Sequence, residues 1–385
     1  MKVIKFAPAF SRLSQTFIYN LACRLREELD DFRVLTLERE NAEDRPFDAV
    51  DVLQDVTSTP DSAGISIWQR MLGTAQQKRR TKRFIEYLDT TGADVVHAHF
   101  GPAAAKIIDA CEATRTPLIV SLRGYDASRL LQERKWKKIY AGLFPRCHAI
   151  AVVTGEMRSR IKPYAGETPI VTVHAGKDAR EYPYQPPEAP IQRFLSIGRL
   201  VEKKGHGDAI RALGHARSLG ADVILDIIGD GELRHELETL IREQKLSNCV
   251  RLLGRLPHAQ VKKMLREADG FVLASRTASN GDKEGVPNVL KEAQLVGLPV
   301  VTTRHAGIPD VVPSPHRPWL AEEGNWRALG KAIYEMSRRD SDALQQISQR
   351  ARKHVKTEFS HRDEVRRYIE LYSNTAAVKP AISHG

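Results

Sequence analysis

Aromatic residues make up only 6% of this chain, its 385 residues include four cysteines, and no apolar run approaches the length of a bilayer span. Few aromatics, no zinc-finger spacing and no aromatic RNA-binding strand signature together argue against nucleic acid as a partner. Cys23, Cys111, Cys147 and Cys249 are scattered without metal-ligand spacing, which suits reduced, buried thiols in a reducing, cytoplasmic compartment. No aspartate-x-aspartate motif sits at a plausible metal position, so no metal is expected, and no other cofactor is expected either. The amino terminus reaches Arg12 after only a short apolar stretch, and reads as a first buried strand rather than a cleaved signal. Positive charge is plentiful. A formal net charge of +11 points to an anionic partner, either lipid or a phosphorylated substrate.

Short apolar runs alternate with helix-length amphipathic segments. Val3–Phe6, Val34–Leu37, Val95–Ala98, Leu118–Leu122 and Ala149–Val153 lie in the first half. Phe194–Ile197, Val223–Ile228, Val250–Leu253, Gly270–Leu273 and Val300–Thr303 repeat the pattern in the second. This alternation predicts parallel sheets with crossover helices, and the length calls for two doubly wound α/β domains. Prolines at 183, 186, 187 and 190 mark a linker. The expected division is residues 1–178, a linker at 179–190, a second domain at 191–360 and a C-terminal helix in 361–385 that crosses back to the first domain. Arg350 to Tyr372 has helical spacing around Phe359-Ser360, and Thr375 to Gly385 reads as a frayed tail.

Two second-half motifs carry chemistry. Phe194 to Gly198 is a strand ending at a glycine, which delivers Arg199 and Lys204 into the next loop. Ligands of such sheets lie beyond the strand carboxyl ends, where two cations would neutralise a pyrophosphate leaving group. A solvated basic loop is the plain alternative. In Glu284-Gly285-Val286-Pro287-Asn288-Val289-Leu290-Lys291-Glu292, Pro287 suits a first helical turn whose amides would face an anion, and Glu292 falls on that helix. A glycosidase pair is disfavoured, because helical rise over this spacing separates the carboxylates by about 12 Å.

These residues, with His305-Ala306-Gly307-Ile308-Pro309-Asp310, resemble the donor-binding half of the retaining family-four glycosyltransferases. Ser275 to Gly307 is especially similar to the exopolysaccharide and colanic-acid-type branch, where an acidic-glycine patch such as Gly281-Asp282 precedes the first glutamate. The resemblance covers Ala7 to about Tyr372 and implies the GT-B fold, two Rossmann-like domains facing each other across a cleft. It implies a nucleotide diphosphate sugar donor, UDP- or GDP-linked, and a glycan or lipid-linked acceptor. Arg199 and Lys204 would bind the pyrophosphate, Glu284 the sugar hydroxyls and Glu292 the ribose. Gly198, Gly285, Val286, Pro287, Asn288 and Val289 would line the same donor site, and Gly254-Arg255-Leu256 would hold the base. His99, the second histidine of Asp94-Val95-Val96-His97-Ala98-His99, would face the donor sugar, and His97 would pack. These two histidines lack a third ligand for zinc. On the acceptor side stand Ser14, Gln15 and Thr16, with Arg123 and Asp126. Relatives usually carry a histidine where this chain has Arg123, so an anionic acceptor or donor group is one reading of that change.

The wound pattern also allows a sugar-nucleotide epimerase, a phosphorylase or a nonenzymatic nucleotide or glycan binder. A pyridoxal-linked lysine would mark the phosphorylase. Basic clusters at Lys78-Arg79-Arg80-Thr81-Lys82-Arg83 and Arg134-Lys135-Trp136-Lys137-Lys138 suggest peripheral contact with an anionic membrane at its inner face, with Ile65, Ile67, Trp68, Met71 and Leu72 beside the first. A solvated helix face is the competing reading.

Overall fold

The computed structural model describes residues 1–12, 15–53 and 67–377. Ser14 and Ile65 lie outside the described residues, as do the side chains of Ile67, Trp68, Met71 and Leu72. Two units divide the chain. One comprises Met1–Val152, Arg158–Val173 and the segment from Val365, and the other comprises Val153–Met157 and His174–Glu364.

Among the described residues, the first unit holds strands β1 (Lys2–Phe6), β2 (Ala9–Phe10), β3 (Asp31–Thr36), β4 (Glu38–Arg39), β5 (Val50–Val52), β6 (Val95–His99), β7 (Leu118–Ser121), β8 (Ala149–Val152) and β9 (Ile170–Thr172). Seven of them form one parallel sheet in the order β5-β3-β1-β6-β7-β8-β9, and β2 pairs with β4 in a small separate ribbon. Every residue of β6, β7 and β8 is buried, because helices cover both faces of a parallel sheet. Ile18, Leu21 and Leu25, at helical spacing on Thr16–Glu28, pack into the core with Val3, Val34 and Val95.

The second unit repeats the architecture with β10 (Arg193–Ile197), β11 (Ile224–Ile228), β12 (Val250–Gly254), β13 (Gly270–Leu273), β14 (Val300–Thr303) and β15 (Leu320–Ala321). Their order is β12-β11-β10-β13-β14-β15, again parallel. Separate apolar clusters form around Phe194, Ile210, Leu225 and Ile333, and around Leu195, Phe271, Leu290 and Phe359. Both units are therefore Rossmann-like doubly wound sheets. In each, the strand order reverses beside the first strand, at β1/β6 and at β10/β13. Ligands of such folds collect at that reversal.

The structure refines the sequence reading in three places. The stretch Arg350 to Tyr372 holds two helices, Ser341–Glu358 and His361–Ala376, rather than one. They part at Phe359, which is buried and whose carbonyl accepts the Lys177 N–H. Thr375 and Ala376 belong to the second of these helices, and residues 378–385 lie outside the described set. From Val365 on, this helix joins the first unit, where Val365, Tyr368 and Tyr372 complete the core.

Candidate functional site

The carboxyl ends of β10 and β13 bring together four charged side chains. After β10, the chain passes Gly198 and an exposed Arg199 and closes a short turn, Glu202–Lys204, that presents Lys203 and Lys204. Gly205 ends the turn at φ 65°, and a Cβ there would lie 1.8 Å from the Ala274 carbonyl oxygen. Only glycine permits so close an approach to the strand β13 exit. Beyond β13, the loop folds back onto the same turn. Arg276 N–H donates to the Lys203 carbonyl at 3.0 Å, and Ser279 donates to Glu202 through its N–H at 2.8 Å and its hydroxyl at 2.7 Å.

The loop thereby sets Asp282 3.0 Å from Lys203, and Glu284 3.2 Å from Lys204 and 3.7 Å from Lys203. All four side chains are less than one-fifth exposed. Burial acts to raise the Glu284 carboxyl, but Lys204 and Lys203 outweigh it and hold the group below the usual carboxylate range. Asp282 Oδ1, Ser275 Oγ and Asn288 Oδ1 are buried without a hydrogen-bond partner among the described residues. Buried polar atoms rarely stay unsatisfied, so these loops are built to meet a polar ligand or water.

The helix that follows is Asn288–Val296, with Pro287 at its cap rather than inside its first turn. Gly285 and Pro287 are buried, and Val286, Asn288 and Val289 are half-buried. Glu292 lies on this helix and forms a hydrogen-bonded ion pair with Lys177. Burial again acts to raise its carboxyl, and Lys177 pulls it below the ordinary range. Arg255, just after β12, is exposed.

In the first unit, β6 ends at His99. Its imidazole is fully buried, with both ring nitrogens lacking a hydrogen-bond partner among the described residues. Burial, reinforced by Lys5, holds it well below the usual histidine range, so it is neutral at physiological pH. Next to it, His97 is 2.6 Å from Tyr372 Oη through Nδ1 and 2.6 Å from Ser121 Oγ through Nε2. The Ser121 hydroxyl is 3.0 Å from Tyr368 Oη, which also accepts from Arg123 Nη2 at 3.0 Å. Arg123 lies over the Phe17 ring as well, 5.4 Å from its centroid. Through Tyr368, Arg123 thus contacts the C-terminal helix. Asp126 ties its own turn, accepting N–H bonds from Arg123, Gly124 and Gly101 at 2.9, 3.0 and 3.3 Å. A cavity of about 610 Å³ is lined by Arg12, Gln15, Glu38, Phe100, Lys106 and Tyr125, among others. Thr16 begins its helix and accepts from Arg45 at 3.1 Å.

Sequence reasoning missed Lys203 and Lys177. The doubled lysine at 203–204 was a visible signal. Lys177 had none, since its partner Glu292 is 115 residues away.

Residues 14–181 match the glycosyltransferase family 4 model, and residues 187–354 match glycosyl transferases group 1. The chain is 32% identical over 289 residues to the amylovoran biosynthesis glycosyltransferase AmsK of Erwinia amylovora, covering 74% of this chain and 71% of that protein. It is 34% identical over 274 residues to WcaL of Escherichia coli, a relative named for colanic acid biosynthesis, covering 70% and 67%. The structure of Anabaena HepE in complex with UDP shares its fold, with a TM-score of 0.77 at 19% identity over 97% of this chain and 100% of that one. With two glycosyltransferase domain models matched in consecutive halves and relatives at 32% and 34% identity, this chain belongs to the family-four, group 1 glycosyltransferases of GT-B fold.

Proposed function

We propose that this chain is a retaining hexosyltransferase that moves a sugar from a uridine or guanosine diphosphate carrier to a glycan or lipid-linked acceptor. AmsK and WcaL, named for amylovoran and colanic acid biosynthesis, support a place in exopolysaccharide synthesis. The observation that carries the reading is the half-buried set Lys203, Lys204, Asp282 and Glu284 at the β10/β13 reversal. Carboxylates accept hydrogen bonds from sugar hydroxyls, and ammonium groups meet phosphate oxygens. Arg199 and Lys204 bind the pyrophosphate and stabilise the charge that develops as the sugar–phosphate bond breaks. Glu284 selects the sugar, Glu292 holds the ribose, and Gly198, Arg255 and residues 285–289 line the donor. The buried, neutral His99 contacts the transferred sugar. Gln15, with Thr16, serves the acceptor side. The leaving phosphate takes the acceptor proton as the new bond forms on the same face, so no protein carboxylate need be glycosylated.

A panel of uridine and guanosine diphosphate hexoses tests this directly. One carrier class is expected to bind and to be turned over, and proton NMR is expected to show the anomeric configuration kept in the product. Inversion would remove the mechanism. A panel with neither binding nor turnover would remove the activity.

We further propose peripheral membrane contact for the first unit. Lys78, Arg79 and Lys82 are exposed on the helix Ile67–Thr91, and Arg134, Lys135, Lys137 and Lys138 are exposed on Arg134–Leu143. Among the described residues, no helix is long and apolar enough to cross a membrane, so attachment of these residues would rest on surface charge. Binding to vesicles containing anionic lipid should exceed binding to neutral ones and weaken with salt. Equal sedimentation with both, or full binding after the first cluster is neutralised, assigns the charge to solubility.

A further inference from the structure

We infer that Glu323 and His305 form a tautomer-setting pair that positions Glu284 for sugar selection. The inference rests on the role proposed for Glu284. His305 follows β14, and its side chain is fully buried. Its Nδ1 lies 2.7 Å from Glu323 Oε1, and its Nε2 lies 3.1 Å from the Glu284 backbone nitrogen. A backbone N–H can only donate, so Nε2 must offer its lone pair. The ring proton then sits on Nδ1 and is donated to Glu323. A carboxylate on one ring nitrogen setting the work of the other is how histidine tautomers are held.

Glu323 is itself anchored. Its second oxygen accepts the Thr277 N–H at 2.7 Å, in the loop that leads to Glu284. Burial acts to raise its carboxyl, but the Thr277 and His305 bonds outweigh that and keep it ionised. A second tie lies beside the first, where Gly307 N–H donates to the Gly285 carbonyl at 3.1 Å. A Cβ on Gly307 would lie 2.8 Å from that oxygen and 2.4 Å from Thr154 Cγ2, so the two backbones approach as glycine alone allows. The 305–307 turn therefore grips residues 284 and 285 at two points. From that fixed backbone, the Glu284 side chain reaches Lys203 and Lys204. Neither Glu323 nor His305 needs to touch the donor, and both are positioning residues.

Glu323→Gln tests the pair with little change of shape, at a side chain that is 31% exposed. Glutamine has one oxygen for two N–H donors. Where its amide faces His305, Nδ1 must accept, the proton moves to Nε2, and Nε2–H then opposes the Glu284 N–H. In ¹⁵N-histidine NMR, the wild type should show His305 protonated on Nδ1, assigned by loss of its signals in His305→Gln. Glu323→Gln should shift protonation toward Nε2. Turnover and discrimination among hexoses should fall roughly tenfold, as for other positioning partners, while affinity for the free nucleoside diphosphate stays within about twofold. In a Glu284→Ala background, Glu323→Gln should add little, because coupled residues are not additive. A wild type protonated on Nε2, or a Glu323→Gln enzyme with unchanged turnover and hexose discrimination, overturns the pair. If Glu284→Ala itself leaves discrimination intact, the sugar-selecting role of Glu284 fails first. A damaging Glu284→Ala beside a silent Glu323→Gln removes only the positioning pair.

Discussion

Replacing Arg199 or Lys204 with alanine should lower turnover by about a hundredfold each, the effect of removing one contact worth about 3 kcal/mol to a developing oxyanion. The two variants should differ in what else they disturb. Arg199 is exposed, so its loss should shift stability by no more than about 0.5 kcal/mol. Lys204 is a half-buried partner of Glu284, and removing it leaves that carboxylate to Lys203, 3.7 Å away. The remaining cation keeps Glu284 from being stranded, so Lys204→Ala should still fold, with a lower unfolding midpoint than Arg199→Ala. Steady-state rates and thermal unfolding, measured together, separate the two effects. Wild-type kcat in both variants would reject the pyrophosphate assignment. Glu292→Ala is the contrast, since loss of a ribose contact should appear mainly as weaker binding of donor and free nucleotide.

Gly205→Ala should be among the most destabilising single-methyl changes in the second unit. The residue is left-handed at φ 65°, and the added carbon would lie 1.8 Å from the Ala274 carbonyl oxygen. The left-handed backbone costs about 1–2 kcal/mol for an alanine, and forcing a methyl into a filled space about 1–3 kcal/mol more. About 3 kcal/mol would lower the unfolding midpoint by roughly 6–12 °C in a unit of this size. Donor affinity should fall as well, because the turn that moves carries Lys203 and Lys204. Gly220→Ala is the control. Gly220 has φ 99° and nothing within 4 Å of where an added methyl carbon would lie, so it reports backbone strain alone. Equal midpoints for the two variants would show that the contact with Ala274 yields without cost.

The central strands were legible because buried parallel strands are near-continuous apolar runs, as in Val95–Ala98 and Val300–Thr303. Three of the four edge strands of the two main sheets, Val50–Val52, Ile170–Thr172 and Leu320–Ala321, are two or three residues long and carry no such run, whereas the fourth, Val250–Gly254, is longer and was read. Short edges limit unwanted pairing with other chains, and the same shortness hides them from periodicity. At the site, Lys204 and Glu284 could be picked out because each sits next to a glycine-marked turn, and Glu292 because it falls on the helix that Pro287 opens. The sequence did not disclose that Glu284 faces both lysines, or that Glu292 is paired with Lys177. The lysines and Glu284 leave the ends of β10 and β13, which only the sheet order makes neighbours, and Lys177 reaches Glu292 across 115 residues of sequence. His305 was visible in its motif, but its tautomer depends on Glu323, 18 residues on.

The tyrosines of the last helix bear on how such enzymes could be recombined. Tyr368 and Tyr372 fill the first unit's core and reach the hydroxyl of Ser121 and the ring of His97. A fragment made from the first 173 residues would open that core and leave His97 and Ser121 facing solvent. A chimera that exchanges the second unit between relatives therefore has two main seams to cut, near residues 174 and 364, and should carry Val153–Met157 with that unit. The helix beyond the second seam should come from the same parent as the amino-terminal sheet. A single crossover at the proline-rich segment 183–190 would pair the first unit's sheet with a foreign tyrosine edge, and the mismatch would be mistaken for a loss of catalytic compatibility.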